Sequence, residues 1–75
     1  MQRVIDNLLY DTKTATVIHI EEDTKRILYM APNGNFFMFF KNGEIVPKTE
    51  ESTKEYLGKH NVEKYIELFG EPQEA

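Results

Sequence analysis

The sequence predicts an α+β fold: a small antiparallel β-sheet meander of three to four strands, followed by two short helices packed on one face. Three observations predict it. Up to Val46 the apolar residues cluster in strand-length runs, and from Pro47 onward they recur every three to four positions. Turn chemistry separates the early runs, most clearly at Pro32-Asn33-Gly34-Asn35 and Asn42-Gly43. Thr49-Glu50-Glu51 then has the form of a helix start, a capping hydroxyl followed by acids where the helix dipole favours negative charge.

The N-terminal segment is readable in two ways. Val4-Ile5 and Leu8-Leu9-Tyr10 flank Asp6-Asn7 and could form a small extra hairpin; the same residues could form one helical turn. Asp11 could cap a brief turn through Thr12–Thr14. Ala15–Glu21, rich in β-branched residues, reads as a strand. Glu22-Asp23-Thr24-Lys25 turns the chain, and Arg26–Ala31 reads as the antiparallel partner. After the Pro32 turn, Phe36–Lys41 is a third strand. Asn42-Gly43 leads into a short fourth one, Glu44-Ile45-Val46, which Pro47 is expected to stop.

In the first helix Thr53, Tyr56, Leu57 and His60 share one face, Glu50–Lys54 and Glu55–Lys59 are i,i+4 pairs, and Gly58 is the expected breaker. Asn61 caps a second helix, whose apolar stripe is Val62, Tyr65, Ile66 and Phe69. Gly70 and Pro72 end it. The 75 residues therefore make a single domain: 1–48 mainly strands, 49–70 two helices, and 71–75 a frayed tail. Stability of roughly 4–11 kcal/mol is expected for this size.

Composition excludes several function classes. Cys is absent, which removes disulfides, thiolate metal sites and a cysteine nucleophile. A secreted domain of this size usually needs such staples, Met1–Asp11 is too polar for a signal peptide, and no apolar run approaches a membrane span. A cytoplasmic location without a membrane partner is therefore expected. His19 and His60 are the two histidines, and neither has a second ligand at i+3 or i+4. His19 reads as a half-exposed strand residue on the face opposite Ile18 and Ile20, and His60 as a structural residue at a helix C-terminus. Ser52, the one serine, has no glycine-flanked elbow, and the four glycines stand singly. No catalytic residue, metal ligand or cofactor is assigned, and an enzyme is not expected.

The most informative run is Phe36-Phe37-Met38-Phe39-Phe40. A strand with one solvated face alternates apolar and polar residues, and this one is apolar on both. Two short helices cover one face. The other needs the N-terminal segment, a second copy or a partner. Charge is uneven as well. Residues 1–48 hold six Lys/Arg and six Asp/Glu, so the net charge of −4 resides in residues 49–75, with three Lys against seven Glu.

The pattern Tyr10-Asp11-Thr12, Thr14-Ala15, Leu28-Tyr29, Gly34 with Phe36-Phe37, then Gly43, Ile45, Pro47, Thr49-Glu50-Glu51 and Leu68-Phe69-Gly70 resembles a group of small uncharacterised proteins of Gram-positive prophages, plasmids and integrated elements. The resemblance covers most of the chain through spaced, fairly common residues. Members often carry a longer glycine-bearing excursion before the Ile-x-Pro-x-Thr segment, where this chain has a tight Lys41-Asn42-Gly43. It implies a cytoplasmic accessory protein of a phage or plasmid and no particular activity.

The sequence therefore points to a non-catalytic protein-interaction or regulatory module of a mobile element, with Glu50, Glu51, Glu55, Glu63 and Glu67 presented to a basic protein partner. Two other readings stand beside it. One is a single-stranded nucleic-acid binder that stacks bases on Tyr29, Phe37 and Phe39. The other is a self-associating structural protein that buries the aromatic strand between copies; across the readings the chain is a monomer or a homodimer.

Overall fold

A computed structural model describes residues 1–74, which form six strands and two helices in three layers. The first layer is a hairpin of β1 (Gln2–Ile5) and β2 (Leu8–Asp11), paired antiparallel with Val4 opposite Leu9 and Ile5 opposite Leu8. Asp6 and Asn7 take φ of 52° and 67°. Two consecutive positive φ values make the tight hairpin turn whose twist matches the strands, and Asp and Asn tolerate that region better than most residues. This settles the N-terminal segment as a hairpin rather than a helical turn.

The second layer is a four-stranded antiparallel meander, β3 (Thr16–Glu21), β4 (Arg26–Met30), β5 (Phe36–Phe39) and β6 (Ile45–Lys48), in sequence order. The two glycine turns behave as their chemistry demands, with Gly34 at φ 92° and Gly43 at φ 91°. Pro47 does not stop β6. It pairs with Phe37 inside the strand, which is possible because β6 is an edge strand and the missing N–H costs no ladder bond on its open side.

The third layer is α1 (Glu50–His60) and α2 (Val62–Phe69). Thr49 caps α1, its Oγ1 accepting from Ser52 N at 3.0 Å. Gly58 lies within α1 and does not end it; the helix continues to His60. Asn61 serves both helices: its N–H donates to the Leu57 carbonyl, and its Oδ1 accepts from Lys64 N at 3.1 Å. Gly70, at φ 89°, closes α2. Residues 71–74 form no helix or strand, and the expectation of fraying at Ala75 lies outside the described residues.

Strand β5 is the centre of the molecule, buried from both sides within one chain. Phe36 and Met38 face the helices and pack with Ile18, Leu28 and Leu57, bordered by Phe40, Tyr65, Leu68 and Phe69. Phe37 faces the hairpin in a second cluster with Tyr10, Tyr29, Ala31 and Ile45; Ile5 and Phe39 pack against it. Phe37 is 0 % exposed, with the Tyr10 ring edge-on at 5.3 Å and the Tyr29 ring stacked at 5.1 Å. No second copy is needed to cover the aromatic run. Among the described residues no helix is long and apolar enough to cross a membrane.

One local irregularity changes which side chains meet. The β3–β4 register shifts between Val17 and His19, a bulge that places one extra residue on β3. Val17 pairs with Tyr29, on the hairpin side, and His19 pairs with Leu28, on the helix side. Ile18 is also in the helix-side core. His19 and Ile18 therefore share the helix face, where strict alternation had put them on opposite faces.

Candidate functional site

Two features of the helix side are candidates for function: the outer surface of the helices, and a polar cluster beneath their junction. Glu50 and Glu51 occupy the first turn of α1 and Glu63 the first turn of α2, where they complement the helix dipoles. Glu55 and Glu67 follow further along, and all five carboxylates are solvent-exposed. Thr53 and Leu57 turn into the sheet, whereas Glu50 borders a shallow hollow with Gly34, Asn35, Phe36, Lys48 and Thr49 at the edge of the sheet. Among the described residues the helix-surface ion pair is Lys64 Nζ–Glu67 Oε2 at 2.9 Å, and the expected Glu50–Lys54 and Glu55–Lys59 pairs do not form. Lys54 instead lies over the Phe69 ring at 5.2 Å, helping to hold the two helices together.

The stripe expected on α2 is rotated. Tyr65, Leu68 and Phe69 pack toward the core, whereas Val62 is 53 % exposed and Ile66 is 37 % exposed. These two apolar residues stand one turn apart on a surface otherwise carried by Glu63 and Glu67. The reason is the short link at Asn61. A single residue between the helices restricts how α2 can roll, and Phe69 is drawn against Phe36, ring centroids 5.9 Å apart.

The polar cluster was not legible as a site in the sequence. Glu21, at the end of β3, has a side chain 12 % exposed. Its Oε2 accepts from Thr24 Oγ1 and from Arg26, Nε at 2.9 Å and Nη2 at 2.6 Å, while its Oε1 accepts from the Tyr56 hydroxyl at 3.2 Å. These bonds to the charged form, Thr24 first and Arg26 next, hold the Glu21 carboxyl down at about 2. Tyr56 is pushed up to about 12, first by burial and then by the Glu21 charge beside it. His60 Nδ1 lies 3.7 Å from Glu21 Oε1, and its ring stacks obliquely on Tyr56 at 4.4 Å. His19 completes the group, its ring 5.8 Å from Tyr56 and its Nδ1 3.2 Å from Asn61 Nδ2. The one sequence signal for this cluster was Glu21 and Arg26 bracketing a four-residue turn, which makes them cross-strand partners.

The sheet aromatics fare differently from the acids. Tyr29 is 9 % exposed and Phe37 fully buried, each covering the other beneath the hairpin, and Phe39 is half-buried beside them. Tyr29 and Phe37 stack on each other, with Tyr10 edge-on to Phe37, so these two rings do not form the open stacking surface expected of them, while Phe39 is in no ring pair. Likewise, Phe36, Phe37 and Met38 of the aromatic strand are already buried within one chain.

Among the described residues no group of three or more His, Asp or Glu is arranged to hold a metal ion. A shallow groove runs between the β3–β4 and β5–β6 turns, lined by Thr24, Arg26, Phe40, Lys41 and Asn42. Arg26 sits over the Phe40 ring at 5.9 Å, and its charge is largely matched by Glu21. No protein-family model matches the chain, and neither a curated protein nor a solved structure matches it significantly.

Proposed function

We propose that this chain is a non-catalytic protein-interaction module that presents the outer side of its helical layer to a basic protein partner. The observation that carries the reading is the pair Val62 and Ile66, exposed one turn apart on α2 and flanked by Glu63 and Glu67. Interfaces commonly combine a few apolar anchors with a charged rim that steers and orients the partner. Glu50, Glu51 and Glu55 add further exposed carboxylates on α1. A cytoplasmic accessory role in a Gram-positive mobile element is supported by the sequence resemblance alone. An inhibitor that docks acidic helices on a nucleic-acid-handling host protein is one concrete form of it.

The test is a tagged pull-down from a Gram-positive lysate, with and without nuclease, followed by binding measurements on the captured protein. The partner should survive nuclease, its affinity should fall steeply as salt rises, and Val62→Ser with Ile66→Ser should weaken binding without loss of fold. Capture abolished by nuclease, or affinity indifferent to both salt and the α2 double substitution, would sink the reading. The outer face of the hairpin supplies the contrast. There Val4, 66 % exposed, stands opposite Leu9, 58 % exposed, and a partner bound at that pair would be insensitive to salt.

A further inference from the structure

We infer that His19 and Asn61 form a protonation-sensitive latch that holds the start of α2 on the sheet and lets go when the His19 ring takes up a proton. The geometry is specific about hydrogen positions. Asn61 Oδ1 is committed as the N-cap acceptor of Lys64 N at 3.1 Å, which fixes the amide so that Nδ2, the donor end, faces His19. The Nδ1 of His19, 3.2 Å away, must then be the acceptor. A ring that accepts at Nδ1 is neutral and carries its hydrogen on Nε2. An imidazolium has a hydrogen on both nitrogens and no acceptor, so the protonated ring confronts the amide donor with another donor. Asn61 cannot answer by turning over, because that would put NH₂ against the Lys64 N–H and undo the cap.

The groups around the ring make this response selective for α2. From α1, Tyr56 and His60 face His19, with ring centroids at 5.8 and 6.4 Å. From its own strand the nearest charge is Glu21, already bonded to Arg26 of β4, Thr24 and Tyr56. From β4 the residue opposite is Leu28, which is apolar. From α2, Lys64 and Glu67 pair with each other at 2.9 Å, and Glu63 is exposed. The two histidines therefore answer a proton in opposite senses. A protonated His60 gains an ion pair with Glu21 and fastens the end of α1, while a protonated His19 loses its bond to the junction. α2 is the element able to register the loss, since none of its residues is fully buried. Opening it would uncover the helix-side core around Phe36, against which Phe69 now lies.

The experiment uses the whole chain. Imidazole nitrogen spectra at about pH 8 should show His19 as the Nε2–H tautomer; the Nδ1–H tautomer would overturn the latch with no substitution made. Protection factors of the α2 amides should fall roughly tenfold between about pH 8 and about pH 5, the effect of one lost hydrogen bond. In His19→Asn, which keeps an acceptor near the Nδ1 position but cannot titrate, the fall should vanish. In His60→Asn it should persist. In Asn61→Asp the cap acceptor remains but an oxygen faces His19, so acid should no longer loosen α2. A fall retained in His19→Asn, a fall abolished in His60→Asn, or wild-type α2 protection that ignores pH would each overturn the inference. None of these outcomes depends on whether a protein partner binds the helical surface.

Discussion

Tyr56 in α1 donates its hydroxyl hydrogen to Glu21 Oε1 at the end of β3, at 3.2 Å and across 35 residues of sequence. This bond, the Arg26 pair and the Thr24 hydroxyl converge on one carboxylate, so the turn end of the β3–β4 hairpin and the middle of α1 are tied to the same anchor. Of the three groups that hydrogen-bond this carboxylate, Tyr56 is the one that comes from a helix. Tyr56→Phe removes the bond and keeps the ring. It should lower stability by about 1 kcal/mol, the usual worth of such a bond, as read from a shift in the urea midpoint. An unchanged midpoint would mean that water replaces the tyrosine without cost.

Acid should destabilise the fold through the same carboxylate. Glu21 is held at about 2 in the folded chain, below its ordinary value of 4.5. The unfolded chain therefore binds the proton first as pH falls, and the stability that Glu21 contributes is present above 4.5 and lost progressively toward 2. Asp11 adds in the same direction, lowered by its hydrogen bonds from Gln2 and from Lys13 N. Denaturant titrations across that window should show a falling midpoint, and Glu21→Gln should flatten the decline. A Glu21→Gln variant with an undiminished decline would place the acid sensitivity elsewhere.

The N-terminal hairpin depends on the backbone at Asn7, where φ is 67°. A β-branched side chain is strained there, so Asn7→Val should cost about 1–2 kcal/mol while Asn7→Gly costs little or nothing. Thermal melts of the two variants separate the conformational cost from simple loss of the asparagine side chain. Equal losses in both would contradict the turn geometry.

Phe37 is the residue whose truncation the molecule should tolerate least. It is fully buried between the hairpin and the sheet, touching the rings of both Tyr10 and Tyr29. Phe37→Ala should cost about 3–5 kcal/mol, enough to unfold much of a population this marginally stable. Circular dichroism and one-dimensional proton spectra would show it directly. A well-folded Phe37→Ala chain would mean that the hairpin layer contributes little to the core.

The sequence by itself determined the parts of this protein that rest on neighbouring residues. Gly34 and Gly43 take the positive φ their turns require, and Thr49 and Asn61 satisfy helix-end N–H groups a few positions away. The meander and the start of each helix follow from such local chemistry. It also marked β5 as needing cover on both sides. Only the tertiary structure decided what supplies that cover. A strand apolar on both faces carries no label for helix or hairpin, and the choice belongs to Tyr10 and Leu57, far apart in the chain, each packing where volume allows. The bulge at Ile18 is equally non-local. It turns His19 toward the helices because strand register is set by contacts across the sheet, and strict alternation along β3 cannot reveal a slip. The polar cluster and the exposed Val62 and Ile66 follow from that register and from the roll of α2, and both are properties of packed surfaces rather than of neighbouring residues.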